Sequence, residues 1–177
     1  MNTMNRRTML RLTAFAFLWL VGVFLPAGKA IGQQAGSTLR NQLVGTWMLV
    51  SNYTDREDGS KFDTFGPNPT GILMLDGDGR LSLQEMRSDL PKFASNNRQE
   101  GTAEENKAVV QGSICYFGTY SVSEVDHTLN FHLESCSFPN WNGADVKRSF
   151  TLTGDELTWS GGGSSGRPIH TVWKRAK

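Results

Sequence analysis

The chain is 177 residues long, with 18 Lys and Arg against 17 Asp and Glu and a formal net charge of +1. Several of the positives sit at the extreme N-terminus, so the remainder carries no basic stripe, which argues against nucleic acid as a partner. The length allows one domain after a leader, and 19 glycines among short apolar segments suit a turn-rich β protein.

Residues 1–30 read as a signal peptide. Arg6, Arg7 and Arg11 supply a positive start, residues 13–26 are an uncharged apolar run, and Ala27-Gly28-Lys29-Ala30 offers small residues to a peptidase. The run falls short of the roughly 20 residues a bilayer span needs. Cleavage is expected after Ala30, leaving no stable membrane span. Asn5-Arg6-Arg7-Thr8-Met9-Leu10-Arg11 resembles a twin-arginine signal, which would deliver the protein to the periplasm or beyond. No cysteine lies near Ala30, so no lipid anchor is expected there. Residues 31–42 read as a flexible lead-in, and the barrel described below occupies residues 43–177.

The first strand is expected over residues 47–53, with Trp47, Leu49, Ser51 and Tyr53 on one face. Residues 71–75 form a short apolar strand, Asp76-Gly77-Asp78-Gly79 turns the chain, and Leu81, Leu83 and Glu85 alternate along the return. The turn superficially matches the start of a calcium loop but lacks the later ligands. Residues 88–101 are polar and read as a loop across a barrel mouth. Thr102-Ala103-Glu104-Glu105 is a capping box, predicting a short helix near 102–111. Residues 116–122 and 129–135 form the clearest hairpin. Residues 146–153, 157–159 and 169–173 complete about eight strands, with Val146, Arg148, Phe150 and Leu152 sharing a face. Neighbouring antiparallel strands in this number predict an all-β, up-and-down barrel that closes on itself and encloses side chains or one small ligand.

A symmetric hairpin about Val125 and Asp126 sets Thr119 opposite His132, Phe117 opposite Glu134 and Ser121 opposite Asn130. Tyr120 and Phe131 then lie on the other, apolar face. The polar row either faces solvent or lines a polar cavity. In the second case His132 and Glu134, two apart on one strand, share a face and can exchange a proton with a bound molecule. The same register puts Cys115 opposite Cys136, predicting a disulfide in an oxidising compartment. Phe138 and Trp141, around Pro139, form a stiff aromatic loop that is either a wall of the entrance or a plug of the core. No zinc set accompanies His132 and Cys136, so no metal is expected.

Four segments in order carry a family resemblance: Leu43-Val44-Gly45-Thr46-Trp47-Met48-Leu49-Val50-Ser51, Gly66-Pro67-Asn68-Pro69-Thr70-Gly71, Phe117-Gly118-Thr119-Tyr120 and Ser137-Phe138-Pro139-Asn140-Trp141. Together they resemble the bacterial and fungal lipocalin-like domain family over essentially the whole mature chain. The resemblance implies a calycin-type barrel with Gly45 and Trp47 as structural residues at its closed end. It further implies a late basic residue packed across Trp47, with Arg175 first and Arg148 second. It fixes no single activity. Some small barrels bind haem through a late histidine, here His170, but their glycine-rich motif is missing, and no cofactor is expected.

These features point to an exported monomeric or dimeric barrel that encloses a small, mostly apolar molecule, oriented by Thr119, His132 and Glu134 and walled by Phe138 and Trp141. The alternative is a small isomerase or cyclase using His132 and Glu134. A third reading is an interaction module that presents the Phe138–Trp141 loop to a protein or a membrane surface.

Overall fold

The computed structural model describes residues 38–177. The expected signal peptide, and the lead-in as far as residue 37, lie outside the described residues. Within them the chain forms α1 (Leu39–Leu43), β1 (Gly45–Asp55), β2 (Lys61–Asp63), β3 (Thr70–Leu75), β4 (Arg80–Met86), α2 (Ala103–Gly112), β5 (Ser113–Ser123), β6 (Thr128–Cys136), β7 (Asp145–Thr153), β8 (Glu156–Gly162) and β9 (Pro168–Arg175). From β3 onward each strand pairs antiparallel with the next, and β1 pairs with both β3 and β9. The result is a closed eight-stranded antiparallel barrel, the expected architecture. The three-residue β2 is an addition, pairing with the far end of β1 beyond β3. No helix among the described residues is long and apolar enough to cross a membrane.

Alternation fills the interior. Trp47, Leu73, Leu83, Phe131, Leu157 and Trp173 are fully enclosed, while the residues between them on each strand face outward. Closure leaves the eight barrel strands no unpaired edge along their shared length. The helix predicted near 102–111 is α2, and its capping box is complete: Thr102 Oγ1 accepts from the Glu105 amide while the Glu105 carboxylate accepts from the Thr102 amide.

The described part of the lead-in, residues 38–42, departs from the expected flexible segment. It enters α1, capped by Thr38, whose hydroxyl accepts from the Asn41 amide. The physical reason is burial: Leu43 is fully enclosed and Leu39 packs against the core, so this turn of helix closes the barrel floor. The Trp47 indole N–H donates to the Leu43 carbonyl at 2.9 Å. The Arg175 guanidinium lies over the indole ring, 4.1 Å from its centre, and donates to the Val44 and Gln42 carbonyls. Gly45 admits this arrangement, because its φ is +139° and a Cβ there would stand 2.9 Å from Arg175 Nη1.

Two β-bulges break the simple alternation. On β1 the pairing with β9 shifts between Leu49 and Ser51. Beyond that point Asn52 and Thr54, rather than the expected Ser51 and Tyr53, turn into the barrel. On β5 the pairing with β6 shifts between Phe117 and Gly118. Thr119 opposes His132 and Tyr120 opposes Phe131, as the symmetric register predicts, but Phe117 now faces Ser135, and Tyr116 faces Cys136. This corrects the expected Cys115–Cys136 disulfide. Both thiols are free, Cys115 on the outer surface and Cys136 inside, because one extra residue on β6 sends the two side chains to opposite faces.

Candidate functional site

The barrel interior is apolar at its floor and polar toward its mouth. Glu85 occupies the third inward position of β4, after Leu81 and Leu83. Asn52 reaches the same level because the β1 bulge turns it inward, directly across the ladder from Thr171 of β9. Asn52 Nδ2 donates to both Glu85 carboxylate oxygens, at 3.2 and 3.1 Å, and to Thr171 Oγ1 at 3.1 Å. Arg148 enters from β7 and is only 1% exposed. Its guanidinium crosses the space left by Gly161 on β8, where a Cβ would lie 2.7 Å from Nη1, and donates to the Gly162 carbonyl at 2.9 Å.

Glu85 is 4% exposed. Burial pushes its carboxyl up to about 7, against the opposing pull of the Asn52 amide and the Arg148 charge. The Tyr116 phenol, facing the same cluster, is also held above its ordinary range by burial. These groups surround an inner cavity of ≈ 40 Å³, walled on its apolar side by Phe65, Ile114, Tyr116 and Trp141. Three polar atoms on side chains lining it, Asn52 Oδ1, Thr64 Oγ1 and Arg148 Nε, are buried with no hydrogen-bond partner in the protein. Buried polar atoms are seldom left so.

Above this level lies a vestibule of ≈ 730 Å³, with Phe62, Phe65, Val109, Val110, Ile114 and Phe138 among its walls. Trp141 stands edge-on to Tyr116 at 6.3 Å and to Phe138 at 5.9 Å. The Phe138–Trp141 loop therefore packs against the core, Trp141 at the inner cavity and Phe138 at the vestibule. It presents no projecting aromatic patch of the kind an interaction module needs.

The Thr119, His132 and Glu134 row lies on the outer surface, which corrects its expected place in the cavity. Tyr120, Phe131 and Leu133 take the inward positions of the hairpin because their burial is worth far more than that of the polar row. His132 Nδ1 pairs with Asp145 Oδ1 at 2.9 Å, and Arg80 donates to both Glu134 oxygens at 2.5 and 3.0 Å. With separate outward partners, His132 and Glu134 form no proton-transfer pair toward the interior. His170 is also outside, paired with Asp55 Oδ2 at 3.0 Å and stacked on Tyr53.

Glu85, Asn52, Arg148 and Thr171 were not among the expected site residues. Two of them carried a signal: Glu85 and Arg148 each occupy an otherwise apolar face of their strand. Asn52 carried none, since only the bulge brings it inside.

The lipocalin-like domain family matches residues 44–176 of the chain. Over 86 residues the chain is 29% identical to the 4'-hydroxy-3'-methoxypropiophenone carrier protein ppsC of Aspergillus oryzae, a stretch covering 45% of this chain and 78% of that protein. Among solved structures it is similar to a lipocalin-like protein from Bacteroides uniformis, at 14% identity and a TM-score of 0.43, covering 76% of this chain and 98% of the other. It is also similar to a redesigned β-barrel, at 16% identity and a TM-score of 0.41, covering 78% of this chain and 95% of the other.

Proposed function

The chain belongs to the lipocalin-like domain family, and from that premise we propose that it is an exported carrier that encloses a small, mostly apolar molecule at the mouth end of its barrel. The observation that carries this reading is the buried polar cluster beneath an apolar vestibule. Enclosing a carboxyl and a guanidinium in a core is costly, and packed apolar residues commonly serve stability as well or better. Glu85, Asn52 and Arg148 together are therefore explained better by something they hold than by the fold they sit in. Affinity would come from apolar burial in the vestibule, and orientation from the few polar groups below it. The carrier role that the Aspergillus relative is named for supports enclosure as the activity.

The export half of the proposal rests on the N-terminal sequence: a twin-arginine-like signal cut after Ala30 and delivery to the periplasm or outside. Native mass spectrometry of the protein purified from its own host tests both halves. The expected result is a mature chain beginning at Ile31 with a co-purifying small molecule that is lost on denaturation. A chain retaining residues 1–30 would refute the export reading. An empty barrel that also fails to take up any apolar aromatic compound would refute the carrier reading.

A further inference from the structure

Resting on the carrier reading, we propose that the ligand is a monocarboxylate with an apolar remainder, its carboxylate paired with Arg148 in the inner cavity and the remainder lying in the vestibule. The reason is charge. A guanidinium stays protonated at any pH the fold meets, and Arg148 is only 1% exposed. Its Nη1 donates to the Lys147 and Gly162 carbonyls at 3.3 and 2.9 Å, and those dipoles offset only part of a full charge. Among the described residues the arginine ion pairs are made by Arg80, Arg87, Arg167 and Arg175, and Arg148 makes none. Residues 1–37 contain no Asp or Glu, so no acidic side chain from there can supply the missing charge. A water molecule beside the guanidinium can accept a hydrogen bond but brings no charge. An enclosed ion without a counter-ion is costly. A ligand carboxylate supplies one, in the geometry that a guanidinium pairs with best.

Glu85 is not that counter-ion. Asn52 Nδ2 holds both its oxygens, no ion pair joins it to Arg148, and burial raises its carboxyl to about 7 in spite of the Arg148 charge. The other ionisable groups of the cluster are the Tyr116 phenol of β5 and, beside that phenol, the Cys136 thiol of β6, both pushed up by burial and so neutral. β1 and β9 contribute the uncharged Asn52 and Thr171, and β3 sets Gly71 opposite Glu85. Below neutral pH the enclosed cluster therefore carries the Arg148 charge alone. A carboxylate cancels it, an ammonium group adds to it, and a neutral head group leaves it standing. A phosphate group is bulkier and brings up to about two negative charges, more than the one to be met.

Size and walls agree with this order of head and remainder. The inner cavity of ≈ 40 Å³ takes a head group of a few heavy atoms, whereas the vestibule of ≈ 730 Å³ takes a chain or a ring. Arg148 lines the inner space, and the two spaces share Thr64, Phe65, Ile114 and Ser164 as walls. Placing a carboxylate on Arg148 also sets a second negative group near Glu85, which disfavours the ionised form of Glu85 further. Above pH 7 binding must therefore draw a proton from solvent onto a Glu85 oxygen, while no covalent bond of the ligand changes.

Isothermal calorimetry at pH 6 tests the assignment with octanoate and 4-phenylbutyrate, each set against its own amide, and with octylammonium. Nile red, a neutral apolar dye, tests the carrier reading separately. The expected result is that each carboxylate binds at least about tenfold tighter than its amide, and octylammonium more weakly than either amide. In Arg148→Met that preference should fall to within about twofold. From pH 6 to pH 8 octanoate should bind about tenfold more weakly, with close to one proton taken up per ligand at pH 8, read from the difference between phosphate and Tris buffers. Glu85→Gln should abolish the pH dependence and the proton uptake while keeping the preference. Equal binding of carboxylates and amides to the unmodified protein, or carboxylates failing where Nile red binds, would overturn the carboxylate assignment and leave the carrier reading intact. Failure of every probe and of Nile red would overturn both. A carboxylate preference with an affinity unchanged from pH 6 to pH 8 would overturn the part given to Glu85. The comparisons on the unmodified chain decide the assignment whether or not Arg148→Met folds.

Discussion

One carboxyl group inside an aromatic barrel sets a pH response for the whole fold. Glu85 moves from an ordinary carboxylate value of 4.5 to about 7 on folding, chiefly because burial penalises its charged form. Between those values the native state binds a proton that the unfolded chain has released, so stability falls as pH rises through this window. Below about 4.5 both states are protonated and the penalty is absent. Above about 7 both are ionised and the full cost, about 3 kcal/mol, stands. Thermal melts from pH 4.5 to 8 should therefore show a Tm that declines and then levels, by about 6–12 °C for a domain of this size. Glu85→Gln should remove that part of the slope and exceed the wild type above pH 7. A variant curve parallel to the wild type across the range would show that Glu85 is not enclosed as described.

At the scale of the element, the two bulges decide where chemistry can occur. On β5, Gly118 is where the extra residue of β6 is absorbed, and a Cβ there would fall 1.9 Å from the His132 carbonyl oxygen. No side chain fits without parting the strands, so Gly118→Ala should cost at least about 2 kcal/mol in urea denaturation. The same bulge separates the cysteines. A thiol-reactive disulfide reagent should label one thiol per native chain promptly, the exposed Cys115. Cys136, buried and with its thiol pushed up by burial, should react only on unfolding. Two unreactive thiols that appear only after reduction would show a bridge and overturn this register. The bulges also mark the limit of what alternation can tell. The eight barrel strands, the capped helix α2 and the Tyr120–Phe131 face follow from period and turn residues alone. Glu85 was visible as a charge on an apolar strand face, and so was Arg148. Asn52 was not, because a bulge leaves no mark in local composition yet reverses every side chain after it. The outward pairing of His132 with Asp145 and of Glu134 with Arg80 was equally hidden, since each partner comes from a different strand.

At the scale of the molecule, the barrel is closed by the pairing of its first and last strands. β1 and β9 pair from Trp47 to Thr54, and the Ala176 amide continues the seam by donating to the Thr46 carbonyl at 2.9 Å. β9 also supplies Trp173 to the core, Thr171 to the polar cluster and Arg175 to the floor over Trp47. Removing it would open two long strand edges, on β1 and β8, and uncap the floor indole at the same time. A chain ending at Arg167 should accordingly lose its near-ultraviolet circular dichroism and its cooperative thermal transition, and should aggregate. A circular permutant separates closure from mere chain length. Joining Lys177 through a short flexible linker to Thr38, and opening the chain in the exposed turn between Glu124 and His127, keeps every strand pair while moving the termini to a loop tip. That permutant should melt cooperatively within a few degrees of the parent. A permutant that failed while the truncated chain folded would mean that the central hairpin, and not the β1–β9 seam, holds the barrel together.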